Sequence, residues 1–156
     1  MENFNDPQKH LKLTELTKLC YIATPYRGPN ELVVEQNLLN ARKATVALIQ
    51  QFPNYYPMSP VLNTAGFHHY EEQLGVGIEY WLNGTMEFLN RCDAIYLSPG
   101  WETSSGCIKE IEFVLNQMLG TEYRDIKILI NDNEGVGKII EISPADILDI
   151  VKRIDK

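Results

Sequence analysis

The stretch CDAIYLSPGWETSSGCIKEIEFVL, residues 92–115, decides how the chain is read. Its first third, DAIYLS, is a short apolar run with β-branched and aromatic residues, the signature of a buried strand. Its second half, continued from Ser104 on to Met118, repeats apolar residues at Ile108, Ile111, Leu115 and Met118, the spacing of one face of a helix. Between them, Pro99 and Gly100 turn the chain, Trp101 adds a large flat side chain, and Ser104, Ser105 and Gly106 open the helix. A strand that passes directly into a helix through a loop rich in polar side chains is the basic unit of a parallel α/β sheet.

The same alternation continues outward. Leu19 to Thr24 predicts a first strand, and the long run after Pro29 and Asn30 predicts a helix carrying Leu32, Val33, Leu38, Leu39, Ala41, Val46 and Ile49. NYYPMSP predicts a second strand, and VLNTAGFHHYEEQLGVG reads as a loop with at most a turn of helix. IEYWLNGTMEFLNRC predicts the helix that leads into residues 92–115. Beyond them come the strand DIKILI, a polar turn, a short strand KIIEI, and a last helix with Ser143 as cap and Pro144 in its first position. The expectation is a single doubly wound α/β domain, Rossmann- or flavodoxin-like, with a mainly parallel sheet of about five strands over residues 19–156. Residues 1–18 form a polar N-terminal extension. In such folds ligands bind beyond the carboxyl ends of the strands.

Composition narrows the function. The 156 residues carry a net charge of -7 with scattered Lys and Arg, which argues against a nucleic-acid-binding face. No apolar run reaches the ~20 residues that span a bilayer, and the polar start lacks a signal-peptide core, so a cytoplasmic protein without a membrane partner is expected. The widely spaced Cys20, Cys92 and Cys107 read as buried reduced thiols. His68 and His69 have no third ligand at metal spacing, and neither a P-loop nor G-x-G-x-x-G is present. No metal and no cofactor are expected.

Two strand-end turns carry the candidate chemistry. In ATPYRGPN, Thr24 offers a hydroxyl, Tyr26 a stacking ring, Arg27 a fixed cation and Gly28 a flexible backbone; a simple turn with a solvated arginine explains the same residues. In SPGWETSSGC, backbone N–H groups at the helix start and the Ser104 and Ser105 hydroxyls suit phosphate or sugar oxygens; ordinary capping by Ser104 is compatible with this. Glu110 and Glu112 lie on opposite shoulders of the apolar stripe, and periodicity does not choose between them, although Glu110 is nearer the helix start.

Taken in order, YIATPYRG (21–28), YYPMSP (55–60) and CDAIYLSPGWETSSGCIKEIEF (92–113) resemble the nucleoside 2-deoxyribosyltransferase-like superfamily. The likeness is to its small, often phage-encoded branch, with a Y-I-S-G-P-Y-R-G opening and an L-P-G-W-E-x-S-x-G-A-x-x-E centre. The resemblance implies a parallel five-stranded sheet, a homo-oligomer (dimer or higher) whose neighbours complete each other's pockets, and a small-molecule nucleoside or nucleotide ligand. It places Glu110 as the nucleophile that attacks the anomeric carbon and Tyr21 as the residue that orients it. The family uses acids where this chain has Thr85 and Ser104. Serine is usual at the second place in the small branch, whereas Thr85 is a departure, so protonation of the leaving base would fall to Asp93, Glu79 or Glu102. Two functions follow: action at an N-glycosidic bond, or sequestration of a nucleotide signal by a catalytically silent pocket, as a phage counter-defence protein would need. In both, Thr24, Tyr26, Arg27, Gly28, Thr85, Pro99, Gly100, Trp101, Ser104, Ser105 and Gly106 are the expected ligand contacts.

Overall fold

The computed structural model describes residues 18–120, 124–132 and 137–154. Strand β1 spans Lys18–Ala23, and Asn30 then caps helix α1, Glu31–Gln51, its Oδ1 accepting from the Val33 N–H at 3.0 Å. Strand β2, Tyr55–Met58, contains Pro57, which cannot donate to a sheet ladder; it lies at the sheet edge, where that omission is tolerated. Helix α2 (Pro60–Asn63), a 3-10 turn (Phe67–Tyr70) and helix α3 (Glu71–Leu74) replace the loop expected there, and helix α4 covers Ile78–Asn90. Strand β3 (Ala94–Leu97), a 3-10 turn (Trp101–Thr103) and helix α5 (Ser105–Leu119) make up the deciding stretch. Strands β4 (Lys127–Asn131) and β5 (Ile139–Ile142) precede helix α6, Pro144–Ile154, whose cap Ser143 accepts from the Asp146 N–H at 3.1 Å.

The sheet order is β2-β1-β3-β4-β5, with β5 antiparallel to β4 and every other pair parallel. This is the α/β architecture expected, apart from the reversed last strand. The connection explains the reversal: too few residues separate Asn131 from Ile139 for a crossover helix, so the chain doubles back as a hairpin. The polar opening lies outside the described residues. No helix among the described residues is long and apolar enough to cross a membrane.

Alternation along the central strands divides the core. Tyr21, Ala23, Ile95, Leu97 and Ile128 face α4, α5 and α6, packing with Leu89, Ile111, Val114, Ile147 and Val151. Cys20, Ile22, Ala94, Tyr96 and Leu129 face α1, where Ala44 and Leu48 meet them. On that side Gln51 ties the far edge, its Oε1 accepting from the Ile139 N–H at 2.7 Å while its amide donates to the Gly137 carbonyl at 2.6 Å. The strand order reverses between β1 and β3, and this is where a crevice opens at the carboxyl edge of such a sheet.

Candidate functional site

The two singled-out turns leave β1 and β3, so strand pairing alone makes them neighbours. Ser98 laces the strand ends together: its N–H and its hydroxyl both donate to the Ala23 carbonyl, at 3.1 and 2.9 Å. Pro99 and Gly100 then form a type II turn closed by the Trp101 N–H to the Ser98 carbonyl at 3.1 Å, with Gly100 at φ 92°. A methyl group added at Gly100 would stand 3.8 Å from Pro25, so the tryptophan turn rests on the arginine turn.

The arginine turn is pinned from α1. The Asn37 amide donates to the Tyr26 carbonyl at 3.0 Å. Gly28 passes so close to Val33 that an added Cβ would fall 2.3 Å from Val33 Cγ1, which only glycine permits. Tyr26 shares a 3.1 Å hydrogen bond with His68 Nδ1, linking this turn to the 3-10 segment, while Arg27 is exposed. Behind the turns, Ser104 caps α5, its Oγ accepting from the Cys107 N–H at 3.3 Å; Ser105 and Gly106 occupy the first helical positions.

Glu110 lies one turn further along α5. The buried residues of α5 are Cys107, Ile111, Val114 and Leu115, so the stripe is rotated from the one that Ile108 and Met118 suggest. At about 100° per residue, this rotation brings Glu110 to the edge of the buried face and turns Glu112 away from it. Glu110 Oε2 is sealed from solvent without a hydrogen-bond partner, and so are the Tyr21 hydroxyl and Thr24 Oγ1. Each such orphan costs about 1–3 kcal/mol, which a ligand's polar atoms would recover.

Tyr21, on β1, and Glu110 stand beside each other without completing a hydrogen bond. Burial pushes the Glu110 carboxyl up to about 8, with the nearby Tyr21 hydroxyl pulling slightly down. Burial, then the charge of Glu110, holds the Tyr21 phenol well above its ordinary range. Thr85 reaches the same place from α4, where it too acts on Tyr21, but its hydroxyl donates to the Leu82 carbonyl at 2.9 Å. Cys107 completes the group; burial and then Glu110 push its thiol up to about 12. The sequence marks Cys107 as a buried reduced thiol and not as part of this group, although it lies three residues before Glu110 on the same face.

Four expected residues do not open onto this group. Asp93 precedes β3 and therefore lies at the amino edge of the sheet, opposite Glu110. There its Oδ2 accepts from the Leu19 N–H at 2.8 Å and its backbone N–H donates to the Leu19 carbonyl at 2.8 Å, a strand-aligning role. Trp101 is only 4% exposed and packs in the cluster with Tyr21, Leu97 and Cys107, so its ring is core rather than an open stacking surface. Glu79 and Glu102 are exposed on the outer surface.

One grouping has no signal in sequence spacing. Potential ligand atoms of Glu31, His68 and His69 all lie within 4.8 Å of one another, with His69 Nε2 3.7 Å from Glu31 Oε1. All three side chains are exposed, with His68 bonded to Tyr26, and among the described residues they are the group able to approach a divalent cation together. Open concavities lie away from Glu110: one of about 380 Å³ between β4, β5 and the start of α6, another of about 560 Å³ along the first half of α1. Comparison of the whole chain with protein-family models, with curated proteins and with solved structures finds no match.

Proposed function

We propose that the chain handles a nucleoside or nucleotide at the carboxyl edge of β1 and β3, with Glu110 acting at the N-glycosidic bond. The observation that carries this reading is the buried pairing of Glu110 with Tyr21 between α4 and α5, with unsatisfied oxygens on both. In the ionised form Glu110 attacks the anomeric carbon, the C–N bond breaks, and its electron pair leaves with the base. Water or a second base then displaces the carboxylate from the sugar and restores Glu110. Tyr21 holds the carboxylate in line, and the N–H groups at the start of α5, with Ser105, face the sugar or phosphate oxygens. Arg27 supplies positive charge at the rim. Because the Thr85 hydroxyl is committed to Leu82 and is no acid, the departing base takes its proton from water.

A second reading has its own support. A carboxyl pushed up to about 8 is mostly protonated at neutral pH, so Glu110 then donates a hydrogen bond rather than attacking. With no acid beside it, such a site retains a nucleotide without breaking it.

Incubation of purified protein with deoxynucleosides and their monophosphates separates the two. In the enzymatic case free base appears, its rate climbs with pH as Glu110 ionises toward pH 8, and Glu110→Gln lowers it by on the order of 10⁴-fold. In the binding case no base appears, and a nucleotide raises the melting temperature of wild type and Glu110→Gln alike. Neither base release nor a thermal shift with any nucleotide would sink both readings.

A further inference from the structure

Helix α1 is apolar on two sides. Ala41, Ala44 and Leu48 are buried against the sheet, yet Leu32, Leu39, Val46 and Ile49 are exposed by 77%, 42%, 53% and 45%. The first three recur every seven residues, so they form a nearly straight line about 21 Å long at about 1.5 Å per residue, drifting only ~20° per repeat. Three large apolar side chains in one outward row, with Ile49 about 60° round from Val46, leave a face unpartnered.

The charges beside that row say what covers it. Glu35 lies on its amino-terminal half, and Arg42 and Lys43 on its carboxyl-terminal half; all three are exposed. Among the described residues none of them forms an ion pair. The arrangement is self-complementary about Leu39. If a second α1 lies antiparallel with its two-fold axis at Leu39, residues whose numbers sum to 78 face each other. Leu39 then meets Leu39, Leu32 meets Val46, and Pro29, at the helix entrance, meets Ile49. In the same register, and on one side of the seam, Glu35 comes beside Arg42, while Gln36 comes beside Lys43 on the other. A parallel pairing would instead bring Glu35 to Glu35 and Lys43 to Lys43.

We propose that α1 is a self-association surface, and that a second copy of this chain covers it through an antiparallel two-fold helix pair centred on Leu39. Such an interface is isologous and closes at a dimer. It uses the face of α1 away from the sheet, so it requires no change in the fold and is independent of what the nucleotide site does.

Sedimentation of the full chain tests it. Wild type is expected to move from monomer to dimer as concentration rises, and Leu39→Glu to remain monomeric. Glu35→Lys should weaken the dimer by on the order of tenfold, and adding Arg42→Glu should restore it. Leu39→Cys should form a disulfide-linked dimer on mild oxidation, because only a residue on the axis meets itself; the native cysteines, all buried, do not compete. A wild type that stays monomeric at every soluble concentration overturns the proposal, and Leu39→Cys then being inert to thiol reagents would point to the chain's own residues 1–17 as the cover. A dimer that survives Leu39→Glu, or charge swaps that fail to compensate, overturns it equally.

Discussion

Helices α5 and α1 break the same rule in opposite directions. An amphipathic helix should hide its apolar residues and show its charges. Helix α5 instead hides a carboxylate, Glu110, at the edge of its apolar face, while α1 shows Leu32, Leu39 and Val46 to solvent. A buried acid costs stability unless something needs its chemistry, and an exposed apolar row costs solubility unless something covers it. Departures of this kind concentrate where a protein does something other than fold. Under the two proposals the helices separate two jobs, one facing a small molecule and one facing a second copy of the chain.

The sharpest way to break this contrast is to compare truncations on the two helices. Ile111→Ala, in the buried face of α5, should cost about 2–5 kcal/mol of unfolding free energy, as core deletions do. Leu39→Ala, on the outer face of α1, should change the stability of the monomer by no more than about 0.5 kcal/mol in denaturant titrations run dilute. Equal losses would mean that the outer face of α1 is core, and the distinction would fail.

The next effect belongs to the hidden acid alone. The folded pKa of Glu110, about 8, lies above its ordinary 4.5, so the native state binds the proton more tightly than the unfolded chain. The contribution of this group is fully present below about pH 4.5 and is lost as pH rises toward 8. Glu110→Gln should therefore match wild type near pH 4 and become more stable by on the order of a few kcal/mol above pH 8. A difference between the two proteins that does not change with pH would show that Glu110 is solvated. The smallest effect lies in the turn ahead of α5. Gly100→Ala forces a left-handed residue to carry a Cβ and should cost about 1 kcal/mol, visible as a modest fall in melting temperature.

Much of this was legible before any coordinates. Pro99 and Gly100 announce the turn that ends β3, and Asn30, Ser104 and Ser143 mark three helix starts that the structure keeps. What escaped was orientation. Counting every apolar residue of α1 as inward conceals that small Ala41 and Ala44 form the sheet-facing side, where close approach favours them. Omitting Cys107 and Val114 from the stripe of α5 rotated it enough to make Glu110 and Glu112 look equivalent. Asp93 enters the sequence reading as a stand-in acid for Thr85, yet a residue before a parallel strand sits at the wrong end of the sheet for this edge. Trp101 falls in a loop, and loop position says nothing about a ring that is buried in the core cluster of β1, β3 and α5.

The sealed thiol of Cys107 gives the experimenter a built-in clock. It touches solvent hardly at all and adjoins Glu110, so an alkylating reagent can reach it only when the packing around α5 opens transiently. The pace of that labelling in the resting protein counts how often this part of the core loosens, and a nucleotide held as proposed beside Glu110 will be heard as the clock slowing.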